Sequence, residues 1–124
     1  MPNYQLPYQN KRGFCNILIS AVGGDGANMA AKLLFKIGVT KLGLDGAYDA
    51  RYGSEKKGTA TDVSVRFCPL GKTVREVGPN NKPHILGIFH PGLIRPLGLS
   101  KGLQENAIVI INTLESPVAM RDEL

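Results

Sequence analysis

A chain of 124 residues, 43% of them hydrophobic and 20% charged, is long enough to close a core as one domain without disulfide staples and too apolar to be disordered or fibrous. The net charge of +5 comes from basic residues scattered along the sequence with no aromatic platform among them, which argues against a nucleic-acid partner and for a solvated surface or acidic partner subunits. No apolar run approaches the roughly 20 residues of a membrane helix, and the polar, proline-bearing start is unlike a secretory signal, so a cytoplasmic protein is expected.

Residues 1–13, MPNYQLPYQNKRG, read as an arm. Tyr4, Leu6 and Tyr8 alternate between Pro2 and Pro7, which suits an extended segment laid across a neighbour or a frayed terminus. Residues 14–22 are an apolar run interrupted only by Asn16 and Ser20, as expected of a strand covered on both faces. Gly23, Gly24 and Gly26 follow and let the backbone turn with positive φ. A helix opens there, with Ala27, Ala30, Ala31, Leu34 and Ile37 on one face and Asn28, Lys32 and Lys36 opposite. Gly38 suits the left-handed position that ends it, and Lys32 and Lys36 complement the dipole.

A short strand is expected at 42–45, then an exposed loop or a turn of helix through the glycines at 46, 53 and 58. Thr61, Val63, Val65 and Phe67 alternate with Asp62, Ser64 and Arg66, the period of a strand with one apolar and one polar face. After a turn at 68–72, residues 73–77 return as an antiparallel partner. Such a half-polar hairpin belongs at a sheet edge, or on a face that another subunit covers. Residues 78–83 are a loop, 84–89 a buried strand, and His90, Pro91 and Gly92 take the chain out of the sheet. A loop with a short helix near Ser100 leads to a last strand at 107–112, and Ser116-Pro117 is a cap and first-turn pair for a final helix. The order reads as an α/β fold, a Rossmann-like wound sheet, mainly parallel, with a β-hairpin at one edge.

Two stretches carry chemistry. The turn Gly23-Gly24-Asp25-Gly26 places free amides at a helix start, where an anion is favoured. Asp25 competes, because a carboxylate in the turn would satisfy those amides itself. Ala21 stands where a dinucleotide fingerprint wants glycine, and no P-loop G-K-[ST] is present. A self-capped structural turn and an independent nucleotide- or coenzyme A-binding module therefore both stay open. The second stretch, Tyr52, Gly53, Ser54, Glu55, Lys56, Lys57 and Gly58, is either a solvated loop or an interface or active-site lid. His90 sits where α/β sheets place ligand groups but has no acidic partner or nucleophile near it in sequence. Cys15 and Cys68 are isolated, without a C-x-x-C pair, so neither a metal site nor an iron–sulfur cluster is expected on this chain. No Ser/His/Asp or Cys/His set has nucleophilic spacing, so no catalytic residue is assigned.

Together, ILISAVGGDGANMAAKLL and YGSEKKGTATDVSVRF resemble the gamma subunit or domain of 2-oxoacid:ferredoxin oxidoreductases, the family acting on pyruvate, ketoisovalerate and oxalate. Gly23, Gly24 and Gly26 match its G-x-G-G-Q-G motif, with Ala21 and Asp25 departing from it. Tyr52, Gly53, Glu55, Gly58 and Val65-Arg66 match the second motif, with Lys57 for arginine and Thr59 for glycine. The resemblance implies a single gamma-type domain over 14–124 that lacks the family's last elements. It also implies partners bearing thiamine diphosphate and iron–sulfur clusters, ferredoxin as the acceptor of the complex, and a role in assembly and active-site shaping. No cofactor is expected on this chain itself, and the 53–58 loop is the expected contact.

Overall fold

The apolar run after Gly13 forms β1 (Cys15–Val22), the strand against which the rest of the computed structural model is laid out. The structure describes residues 6, 13–22, 26–52, 60–69, 82–94, 103–104 and 106–121. After β1 come α1 (Ala27–Thr40), β2 (Asp45–Tyr52), β3 (Ala60–Cys68), β4 (Ile85–Ile88), a 3-10 turn (Pro91–Leu93), β5 (Ile108–Ile111) and α2 (Pro117–Arg121). The final helix opens as its sequence suggests, with the Ala119 N–H donating to Ser116 Oγ at 3.2 Å.

The sheet order is β2-β3-β1-β4-β5. β1 pairs in parallel with β4, and β4 with β5, over four residues each. β3 pairs antiparallel with β1 on one side and with β2 on the other, over eight residues each. The sheet is therefore mixed and not mainly parallel, which corrects the wound-sheet expectation. The hairpin is also placed differently. β3 lies inside the sheet, and its hairpin partner is β2, built from residues expected to be a loop. In β2, Gly46, Tyr48 and Ala50 keep the period of two on one face, and the glycine and charges between them hide it. Residues 73–77, expected to return as the hairpin's second arm, lie outside the described residues.

One face packs under α1. Ile17, Ile19 and Ala21 of β1 and Val63, Val65 and Phe67 of β3 meet Ala27 and Ala31 of the helix, and Leu6 is partly buried against the same core. The buried stripe of α1 is rotated from the expected one: Ala27, Ala31 and Gly38 are buried, whereas Ala30 and Ile37 are exposed. Phe35 causes the rotation. Its ring stacks on Phe67 at 6.4 Å with an interplanar angle of 11° and tilts against Tyr48, which turns that side of the helix toward β2. Gly38 does not end the helix, which runs on to Thr40. It lies against the Phe67 ring, into which any Cβ would run. Gly38→Ala should therefore lower stability by about 1–3 kcal/mol in urea unfolding, despite alanine's better helix propensity. Pairing it with Phe67→Leu should recover part of the loss; a stabilised Gly38→Ala would disprove the close packing.

The opposite face has two parts. Leu86, Ile88, Ile94 and Met120 form a second core beneath α2, with Leu18, Val109 and Ile111 at its margin. Beside it the face is polar, and Asn16, Ser20, Ser64 and Arg66 are nonetheless buried by this chain itself, so no other subunit is needed to cover them. Buried His84 closes the entry to β4. The Asn16 N–H donates to His84 Nδ1 at 3.0 Å while the His84 N–H donates to the Asn16 carbonyl at 2.8 Å. Nδ1 must be unprotonated to accept, and burial lowers the His84 pKa from 6.5. The folded state thus binds fewer protons, and this contribution is complete above pH 6.5 and lost as pH falls through the lowered folded-state value. Urea unfolding between about pH 8 and pH 5 should show a loss of about 1 kcal/mol that His84→Asn, which keeps an acceptor but does not titrate, flattens. An equal slope in both proteins would remove His84 as its source.

Candidate functional site at the carboxyl end of the sheet

Register, more than any single side chain, builds the site. Val22, the last residue of β1, is paired with Ala60, the first of β3, and Tyr52, the last of β2, is paired with Thr61. The chain therefore leaves β1 for the glycine turn beside the point where the 53–59 connection enters β3. Two motifs about 30 residues apart in sequence emerge from neighbouring strands at one end of the sheet. β4 and β5 finish at the same end, since both run parallel to β1. The Phe89 N–H donates to the Ser20 carbonyl at 2.9 Å, and the Asn112 N–H to the Ile88 carbonyl at 2.9 Å. Asn112 Nδ2 also donates to the Phe89 carbonyl at 3.3 Å, which ties the two strand ends together. Exposed His90 follows directly.

Gly26 is the N-cap of α1 and has φ of 85°, the left-handed conformation expected of this turn. Among the described residues no side chain caps the helix start, and no acidic residue lies in its first turn. The Ala30 N–H closes the first turn on the Gly26 carbonyl at 3.0 Å. Gly23, Gly24 and Asp25 lie outside the described residues, as do Gly53, Ser54, Glu55, Lys56, Lys57 and Gly58; Tyr52 is described as the last residue of β2.

One pair at this end was not singled out from sequence. Ser20 is fully buried and donates through Oγ to Asp62 Oδ1 at 3.0 Å, joining β1 to β3 two residues below the turn. The available signal was Ser20 itself, a polar break in an apolar strand that needs a buried partner. Asp62 sits across from it on the alternating strand.

The donor chemistry of the chain is limited. An iron–sulfur cluster takes four thiolates, and this sequence has two cysteines, both buried in strands of the sheet. Burial pushes the Cys15 thiol up to about 11, away from the thiolate a metal requires. These residues do not fit a cluster. Among the described residues no three His, Cys, Asp or Glu side chains gather to hold a metal ion. No described helix is long and apolar enough to cross a membrane.

A mixed five-stranded sheet with helices packed on its two faces defines an α/β domain. The chain belongs to the pyruvate ferredoxin/flavodoxin oxidoreductase family, whose model matches residues 16–124. Among the solved structures that share the fold are two oxidoreductase subunits. The pyruvate oxidoreductase subunit PORC of Thermotoga maritima superposes with a TM-score of 0.73 at 19% identity, covering 90% of this chain and 56% of that one. The gamma subunit of a keto/oxoacid ferredoxin oxidoreductase from Geobacter sulfurreducens gives 0.59 at 16% identity, covering 80% of this chain and 50% of that one. This chain thus spans about half the length of each. A comparison with curated proteins gives no match. The resemblance noted in the two glycine motifs and the family match agree.

Removing the Ser20 hydroxyl leaves Asp62 without its donor in a part-buried site. Ser20→Ala should cost about 1–2 kcal/mol in urea unfolding. Asp62→Asn, which can still accept from the hydroxyl, should cost less; a neutral Ser20→Ala would show that the pair does not tie β1 to β3.

Proposed function

We propose that this chain is the gamma-type component of a 2-oxoacid:ferredoxin oxidoreductase, contributing assembly and active-site shaping rather than catalytic groups. The family match over residues 16–124 carries this reading. In such a complex thiamine diphosphate supplies the oxidative decarboxylation of a 2-oxoacid such as pyruvate, and iron–sulfur clusters pass the electrons to ferredoxin, in the cytoplasm. A cluster takes four thiolates and this chain has two cysteines, which supports a reading with the clusters on other subunits or domains.

What this chain contributes is a surface. The strands that lead into the glycine turn and out of the 53–58 connection end side by side on one sheet, a base on which loops can be held against a partner with little loss of freedom on binding. Glu55, Lys56 and Lys57 give that surface both signs of charge, which suits recognition between subunits more than binding of a phosphate. The chain's own work is then to position a neighbour's active-site wall and exclude water from it.

Co-purification tests this. The chain should elute with thiamine diphosphate and iron–sulfur absorbance in its fraction. Glu55→Ala and Lys57→Glu should weaken subunit association about tenfold or more while leaving the far-ultraviolet spectrum and the unfolding midpoint of the isolated chain unchanged. A chain that elutes alone and colourless, and that binds coenzyme A or ADP with a loss on Gly24→Val, would replace this reading with an independent nucleotide-binding module.

A further inference from the structure

The amino-terminal arm reaches its own domain. Leu6, the one described residue among positions 1–12, packs against the main core beneath α1. It forms one wall of a hollow of about 140 Å³ at the amino end of β1, with Cys15, Leu34, Gly38, Phe67 and Ile85 around it. Among the described residues none that lines this hollow is charged. Such a recess favours an aliphatic side chain and penalises a polar one.

The backbone allows this return. Buried Gly13 has φ of 87°, a left-handed conformation that lets the chain turn as it enters β1. The segment from Leu6 to Cys15 can span up to about 30 Å when extended, ample for the two side chains to meet at one hollow. Pro7 restricts Leu6 to extended backbone, so less freedom is lost when it docks. The two thiols of the chain stand differently toward it. Cys15 lies on the α1 side of the sheet, in the same core as Leu6. Cys68 follows Phe67 on β3 and by strand alternation faces the other side, where it is fully buried.

We propose that Leu6 anchors the amino-terminal arm on its own domain, and that this anchor shields Cys15, whose thiol opens to solvent when Leu6 leaves while the sheet stays folded. The anchor belongs to the same chain because the short tether holds Leu6 beside the hollow at an effective concentration that a second molecule does not match in dilute solution. Its side chain is the group that matters, since Leu6 is the arm's contact with the apolar wall that Cys15 shares. This goes beyond the assembly reading and does not depend on it.

Alkylation of the two thiols in the native full chain, followed by mass spectrometry, tests it. Leu6→Ala should speed labelling of Cys15 about tenfold or more and leave Cys68 as slow as in the unsubstituted chain. Leu6→Met, which keeps an apolar side chain of similar volume, should label as slowly as the unsubstituted chain. Unchanged labelling of Cys15 in Leu6→Ala overturns the anchor, because the thiol is then shielded without it. Equal acceleration of both thiols also overturns it, since that pattern belongs to opening of the whole domain. Labelling of Cys15 that speeds up when the unsubstituted chain is diluted gives the place beside the hollow to the arm of a second copy, and overturns docking within one chain.

Discussion

The antiparallel insertion of β3 between β1 and β2 is the constraint on which the rest of this molecule depends. β1 and β2 run in the same direction but do not touch, because β3 takes up the hydrogen-bonding edges of both over eight residues each. α1 spans that three-strand unit and closes the main core over Val63, Val65 and Phe67. Buried apolar side chains of this size each contribute on the order of 1.5–3 kcal/mol. A register slip of one residue would turn all three to the polar face and bring Asp62, Ser64 and Arg66 under the helix. The alternation of β3 thus holds the register, and the register holds the ends of the strands.

Those strand ends carry the proposed site. With Val22 opposite Ala60, the glycine turn and the charged connection leave the sheet as neighbours. Ser20 and Asp62 tie the same two strands just below. A parallel neighbour in place of β3 would have put the 53–59 connection at the far end, and the two motifs would not share a surface. Both cysteines are buried in strands of the sheet, and burial pushes the Cys15 thiol up to about 11.

Much of this was legible in the residues. The apolar run of β1, the strict alternation of β3 and the Ser116-Pro117 start of α2 each declared its element, because each obeys one local rule. What failed was non-local. β2 carries Gly46, Asp45, Asp49 and Arg51, so local composition reads as loop, and only pairing with β3 makes it a strand. Gly38 looked like a helix stop and is a contact surface, since the Phe67 ring that needs the space is 29 positions away in the chain. The buried stripe of α1 was misplaced by the same cause: periodicity alone cannot know that Phe35 finds Phe67 and Tyr48. The two motifs of the site were visible one by one, but their meeting at one end of the sheet follows from strand order, which no window of sequence contains.

A density map of the native assembly by electron cryomicroscopy would test the scaffold role most directly. The expected map places the sheet end marked by Val22, Ala60, His90 and Asn112 against the subunit that holds thiamine diphosphate, with the glycine turn and the 53–58 connection buried in the contact. A map in which that end faces solvent, with partners attached only across the outer side of α1, would contradict it.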